Sequence, residues 1–130
     1  FAGNGLTVLV VDDEVNVRNA MATVLGSIGF NVILARDGTD ALVCAAEKRH
    51  ELRLVITDLH MPQMGGIQFV RTLQRMLPDV AIIVASGRID ARDEAELRSL
   101  GLQILLSKPF SQETLTRALR QAFHPAPPPR

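Results

Sequence analysis

The chain has 130 residues, of which 47% are hydrophobic and 22% are charged, values that suit one compact domain and exclude intrinsic disorder. Fourteen basic residues balance fourteen acidic residues, and Trp and Tyr are absent, so the chain lacks the basic surface and most of the stacking side chains of a nucleic-acid-binding module. No apolar run approaches the roughly 18 residues of a membrane-spanning helix. The single cysteine, Cys44, excludes an internal disulfide and fits a reducing compartment such as the cytoplasm.

The first half of the chain predicts two strand–helix units. Residues 6–11 have the length and composition of a buried strand, and a helix follows whose apolar face consists of Val17, Met21, Val24, Leu25 and Ile28. Gly29 can end this helix. A second strand, residues 31–35, precedes a second helix, for which Asp37 is a suitable N-cap and in which Ala41, Leu42 and Ala45 face inward.

The second half predicts three further units. A strand at 54–57 precedes a helix over about 67–76 that Pro78 ends, and a strand at 80–85 precedes a more polar helix over about 89–100. The last strand, 102–106, precedes a helix with Ser111 as its N-cap. Five such alternations predict the α/β class, a doubly wound parallel sheet covered by helices on both faces.

Polar side chains stand at the carboxyl ends of four predicted strands: Asp12 and Asp13, Asp58, Ser86 and Lys108. Ligands of open parallel sheets bind outside these strand ends, so we expect the five side chains to converge there. Each has a simpler interpretation when taken alone, as a helix N-cap, a turn residue or a solvated lysine. Because polar residues stand at the ends of four strands, a single shared site is the favoured interpretation.

The chemistry of such a site follows from its charge. Carboxylates about 4 Å apart repel by roughly 4 kcal/mol per pair at an effective dielectric constant of about 20, so cations must lie among them. Lys108 supplies one, and Mg²⁺, which prefers oxygen ligands, is the expected other. A carboxylate can attack phosphorus, and Asp58 is the candidate nucleophile. Mg²⁺, Lys108 and the Ser86 hydroxyl would neutralise charge on the phosphoryl oxygens.

Three motifs stand out: the acidic opening at 8–14, the loop at 58–66 and the Lys108-Pro109-Phe110 turn. Through these motifs the segment 7–123 resembles the CheY-like receiver domain of two-component response regulators. The resemblance implies a flavodoxin-like five-stranded sheet in the order 2-1-3-4-5, a cytoplasmic location and a cis peptide bond before Pro109. It also implies a histidine kinase or a histidine phosphotransfer protein as the phosphoryl donor.

The resemblance implies a metal site and domain bounds as well. Asp13 and Asp58 would ligate Mg²⁺ directly, Asp12 largely through water, and the backbone carbonyl of His60 would complete the ligand set. The receiver domain would span 6–123, with 1–5 and the proline-rich 124–130 as flexible ends or linker remnants, and with a fused kinase or output domain as a possible further partner. This domain itself would bind neither nucleic acid nor membrane.

Two positions raise further hypotheses. The side chain of His60, two residues after Asp58, is either an ordinary surface group or lies above the phosphoryl group and affects its lifetime. Leu105 stands three positions before Lys108, where many receivers carry Tyr or Phe. A leucine lacks the ring that moves in the usual two-state switch, so we expect a muted rearrangement of the fourth helix and fifth strand. That favours a phosphorelay or kinase-attached receiver over a dimerising transcription factor.

A small phosphatase with an aspartate nucleophile is the alternative interpretation. Such phosphatases commonly carry a second Asp two residues after the nucleophile, where this chain has His60. They also need a cap or a pocket for the substrate, for which 130 residues leave little room. We therefore expect a signalling domain that catalyses only its own phosphorylation and dephosphorylation, and not an enzyme that turns over external substrates.

Overall fold

The computed structural model describes residues 1–123, and the expected flexible tail at 124–130 lies outside them. Five parallel strands form one sheet in the order β2-β1-β3-β4-β5. The strands are β1 Thr7–Val11, β2 Asn31–Ala35, β3 Leu52–Thr57, β4 Ala81–Ser86 and β5 Leu105–Ser107. Both the fold class and the strand order that we predicted are confirmed.

Five helices alternate with the strands: α1 Val15–Ser27, α2 Gly38–Glu47, α3 Gly66–Met76, α4 Ala91–Ser99 and α5 Gln112–Phe123. The side chain of Asp37 accepts a hydrogen bond from the Asp40 N–H at 2.8 Å, and Ser111 Oγ accepts one from the Thr114 N–H at 3.1 Å. Both predicted N-caps are therefore present, each satisfying a backbone donor that the first turn of a helix leaves unpaired. Within residues 1–123, no helix combines the length and apolar composition needed to cross a membrane.

The helices cover the two faces of the sheet. Helices α1 and α5 pack on one face, where Leu25 and Leu119 contact inward residues of β1, β3 and β4. Helices α2 and α3 pack on the other face, and Leu97 of α4 joins an adjoining cluster with Val70 and Val84. Because β1 and β3 lie between two helical layers, almost every residue in them is buried, which explains their unbroken apolar runs.

Two predicted strand starts were wrong by more than one residue, one in the fifth strand and one in the third. Strand β5 holds only three residues and begins at Leu105, although the apolar run begins at Leu102. Leu102 is buried in the loop, where its N–H donates to the Leu97 carbonyl at the end of α4. Strand β3 begins two residues earlier than predicted, at Leu52.

The first five residues, which we expected to form a flexible end, lie against the domain. The N–H of Gly3 donates to the Ile28 carbonyl at 2.6 Å, and the ring of Phe1 stacks on those of Phe30 and Phe123 with centroids 5.9 and 5.8 Å away. These contacts attach the segment to the C-terminal ends of α1 and α5. The predicted domain bounds of 6–123 stay a prediction.

Candidate functional site

The topology of the sheet brings the predicted polar residues to one edge. The register pairs Val11 with Thr57, Thr57 with Val84, and Ser86 with Ser107, so β1 and β3 end together and β4 and β5 extend two residues further at the same edge. After β1 the chain adds β2 on one side of the sheet, and after β3 it adds β4 on the opposite side. The strand order therefore reverses between β1 and β3. Ligands of doubly wound sheets bind at such a point.

Three carboxylates meet there, and we call Asp12, Asp13 and Asp58 the acidic site. One oxygen from each lies within 4.8 Å of the others. Asp12 is buried, Asp58 is partly buried and Asp13 is exposed. Among residues 1–123 this is the one cluster of three or more acidic, His or Cys side chains with such spacing. Its donors are all oxygens, the kind of donor that Mg²⁺ prefers.

The Lys108 ammonium lies between two of these carboxylates. It donates to Asp12 Oδ2 and, at 3.1 Å, to Asp58 Oδ2. The backbone N–H of Lys108 donates to the Ser86 carbonyl at 2.9 Å, and a cis peptide bond joins Lys108 to Pro109. Burial lowers the pKa of Lys108, but its contacts with Asp12 and Asp58 outweigh burial and raise that pKa above its ordinary value of 10.5. The side chain is therefore a fixed positive charge.

Asp58 is held in its ionised form. Its Oδ1 accepts hydrogen bonds from the backbone N–H groups of Leu59 at 2.6 Å and His60 at 3.2 Å. Burial by itself raises the pKa of Asp58, but the Ser86 hydroxyl, the His60 N–H and the Lys108 charge together hold it below its ordinary value of 3.8. Asp58 is thus an oriented carboxylate that keeps its charge, the form in which it can attack phosphorus.

Ser86 and His60 meet at the loop that follows β4. The Ser86 hydroxyl is buried and donates weakly to the Arg88 carbonyl at 3.4 Å. The same carbonyl lies 2.8 Å from His60 Nε2, and the His60 ring also comes within 3.9 Å of the Asp93 carboxylate. His60 therefore links the loop after β3 to the loop after β4, although 54% of its side chain remains exposed.

Two residues that contact the acidic site were not foreseen from the sequence. The Arg18 guanidinium in α1 donates to the backbone carbonyl of Asp12 at 2.8 Å. Gly66, the first residue of α3, packs so closely on the phosphoacceptor candidate's loop that a Cβ there would lie 2.6 Å from the Leu59 Cα and even closer to the Asp58 carbonyl oxygen. The adjacent glycines Gly65 and Gly66 were the sequence feature that could have indicated close backbone packing at Gly66.

An apolar cavity of about 690 Å³ opens beside the acidic site between α1 and α5. Its walls include Val17, Met21, Phe110 and Leu115, and Asp58 and Lys108 stand at its polar end. The acidic site is therefore accessible from the side of these two helices.

Comparison with known proteins agrees with this arrangement. The family model described as the response regulator receiver domain matches residues 8–120. PilG of Pseudomonas aeruginosa is 32% identical over 119 residues, covering 90% of this chain and 87% of PilG. The probable transcriptional regulator ycf27 of Porphyridium aerugineum is 36% identical over 116 residues, covering 89% of this chain.

The chain spans about half the length of ycf27, namely 47%. Among solved structures, the chemotaxis protein CheY4 of Vibrio cholerae is 29% identical, with a TM-score of 0.84 over 91% of this chain and 98% of CheY4. The family match covers most of the chain, the relatives include one of similar length, and the strand order agrees with the flavodoxin-like fold of CheY. The chain belongs to the response regulator receiver domains of two-component signalling systems.

Proposed function

We propose that Asp58 accepts a phosphoryl group from a phosphohistidine of a histidine kinase or of a histidine phosphotransfer protein. The observation that carries this proposal is the Lys108 ammonium between Asp12 and Asp58, next to a carboxylate whose pKa is lowered. A fixed cation beside an oriented, ionised carboxylate is the arrangement that in-line phosphoryl transfer requires, because charge grows on the phosphoryl oxygens in the transition state.

Mg²⁺ is the metal that we propose for the acidic site. Receiver domains generally bind it, and the three carboxylates offer the hard oxygen donors it prefers, with room for water and phosphoryl oxygens. Asp13 and Asp58 would be direct ligands, Asp12 would act largely through water, and the His60 backbone carbonyl would complete the set. When bound, the ion would neutralise negative charge on the transferred group.

The residues of the chain divide the remaining work. As the new bond forms between an Asp58 oxygen and phosphorus, the bond from phosphorus to the donor's imidazole nitrogen breaks and its electron pair stays on that nitrogen. Lys108 would balance charge on one phosphoryl oxygen. The Ser86 hydroxyl, which makes a long 3.4 Å contact with the Arg88 carbonyl, would turn to donate to another.

We propose that the domain acts as a signalling module whose only catalysis is its own phosphorylation and dephosphorylation. The phosphatase alternative is not favoured, because the second residue after Asp58 is His60 and the chain matches receivers over 8–120. We place the domain in the cytoplasm, with the kinase or phosphotransfer donor. Since the chain covers about half of ycf27, a fused output or kinase domain is a further proposed partner. The open cavity between α1 and α5 would give the donor access to Asp58.

The test is phosphorylation by acetyl phosphate with and without Mg²⁺, read by intact mass. Wild type should gain the mass of one phosphoryl group only with Mg²⁺, and Asp58→Asn should gain none. Asp79→Asn is the matched control, because Asp79 is exposed in the turn before β4, at the opposite end of the sheet, and should not affect the gain. Equal phosphorylation of Asp58→Asn would refute the assignment.

A further inference from the structure

Arg18 makes a contact with the acidic site that the proposed chemistry does not use. It is the fourth residue of α1, and its Nη1 reaches back to donate to the Asp12 carbonyl at 2.8 Å. That carbonyl belongs to the peptide bond that joins Asp12 to Asp13. The guanidinium therefore holds the one peptide unit that lies between two of the three carboxylates.

Every polar group of Asp12 has a partner, and each partner comes from a different part of the fold. Its N–H donates to the Ala35 carbonyl in β2, Oδ1 accepts from the Glu14 N–H at 3.0 Å, and Oδ2 accepts from Lys108. The carbonyl depends on Arg18. Asp12 is only 3% exposed, so losing this donor would leave a backbone carbonyl without its partner in a largely buried position.

We infer that Arg18 is a positioning residue, which fixes the peptide between Asp12 and Asp13 so that both carboxylates are preorganised for a divalent cation. This inference rests on the proposed function, in which the acidic site binds Mg²⁺. Groups that orient metal ligands without touching the metal commonly change metal affinity by about tenfold or more when they are removed.

Because Arg18 is positively charged, the direction of the change in Mg²⁺ affinity after its removal tests the inference. Electrostatics alone predicts that removing a positive charge near a cation site strengthens Mg²⁺ binding. Positioning predicts the reverse, because the freed peptide lets the two carboxylates move apart. If Mg²⁺ binds more weakly after the Arg18 guanidinium is removed, the effect therefore comes from the orientation of the carboxylates and not from charge.

The experiment is calorimetric titration of the phosphate-free chain with MgCl₂. Arg18→Met, which keeps the apolar stem but has no donor, should weaken Mg²⁺ binding about tenfold. Arg18→Lys keeps one cationic donor and should recover most of that loss. Arg49→Met is the matched control, because Arg49 is exposed after α2, at the end of the sheet away from the acidic site, and should bind Mg²⁺ as wild type does.

Denaturant unfolding of each variant accompanies the titration. If Arg18→Met does not fold, Arg18→Leu, which also has no donor, takes its place with the same expected loss. An affinity equal to or above that of wild type in a folded Arg18→Met or Arg18→Leu variant overturns the inference, and so does an Arg18→Lys variant as weak as Arg18→Met. Failure of wild type itself to bind Mg²⁺ would instead contradict the proposed function.

Discussion

The three carboxylates of the acidic site repel one another when no metal is bound. Lys108 contacts Asp12 and Asp58, which leaves Asp13 as the member without that ammonium. Asp13 is exposed, so each repulsion is screened to about 1 kcal/mol. We predict that Asp13→Asn raises the free energy of unfolding of the metal-free domain by about 1 kcal/mol and removes the stabilisation that Mg²⁺ gives to wild type.

Urea unfolding followed by far-ultraviolet circular dichroism, with and without MgCl₂, measures both effects. Circular dichroism suits this chain because it has no Trp or Tyr. Asp79→Asn serves as the control for removal of one acidic charge elsewhere, and it should leave the Mg²⁺ response intact. A metal-free Asp13→Asn variant that is less stable than wild type would speak against repulsion within the acidic site.

His60 is the residue most open to a test of phosphoryl lifetime. Its ring holds the loop after β4 through the Arg88 carbonyl at 2.8 Å, next to Ser86. We predict that His60→Ala frees this loop, admits water to the phosphoryl group and shortens its half-life severalfold. The decay of the phosphorylated mass after removal of acetyl phosphate gives the half-life. His50→Ala, at an exposed position before β3, is the control, and equal half-lives for His60→Ala and wild type would remove the idea.

The polar residues of the site could be predicted from the sequence because their positions follow from topology. A parallel sheet brings strand ends together, so a polar side chain after each strand was enough to place Asp12, Asp58, Ser86 and Lys108 at one edge. Arg18 could not be found in this way. Its spacing in α1 is that of an ordinary surface residue, and only the folded path of the β1–α1 loop brings the Asp12 carbonyl to its guanidinium.

At the level of elements, the start of α3 determines the path of the Asp58 loop. The Gly66 N–H donates to the Leu59 carbonyl at 2.9 Å, and a Cβ at Gly66 would collide with backbone atoms of Asp58 and Leu59. No side-chain rotation can relieve a collision with backbone. We predict that Gly66→Ala lowers the free energy of unfolding by about 1–3 kcal/mol and slows phosphorylation by acetyl phosphate, because the loop must move.

Gly65→Ala is the matched control for this prediction. Its added Cβ would meet no atom within 4 Å, and its φ of −68° is one that alanine adopts freely. Unfolding and phosphorylation should therefore stay close to wild type, because the less flexible unfolded chain favours alanine whereas the N-cap position of α3 favours glycine. Equal behaviour of the Gly65 and Gly66 variants would show that close packing at Gly66 does not control the loop.

The bounds of the last strand illustrate what an apolar run leaves undecided. Leu102 and Leu106 are both buried, yet only Leu106 belongs to β5. Leu102 is buried by packing with Leu97 of α4, after the chain turns at Gly101 with a φ of +88°. Buried positions in loops and in strands favour the same apolar residues, so the apolar pattern alone could not show where β5 begins.

Across the whole molecule, the question is how far a change at Asp58 spreads. Leu105 pairs with Val84 in the sheet and packs with the cluster that includes Leu97, so α4 is held to the sheet by aliphatic contacts. Position 105 has no aromatic ring that could turn from an outward-facing to an inward-facing orientation. Because no such side chain can switch between two arrangements, we expect a change of charge at Asp58 to move α4 and β5 less.

We therefore predict a small response of α4 and β5 to a phosphate mimic. With beryllofluoride and Mg²⁺, amide chemical-shift changes in wild type should concentrate at residues 12–13, 58–60, 86–88 and 108, and should be small over residues 91–105. Leu105→Tyr restores a ring at the edge of the same cluster, and its changes over 91–105 should be larger than those of wild type. Large changes over 91–105 in wild type would mean that aliphatic packing transmits the signal as well as a ring does, and that Leu105 does not limit the switch.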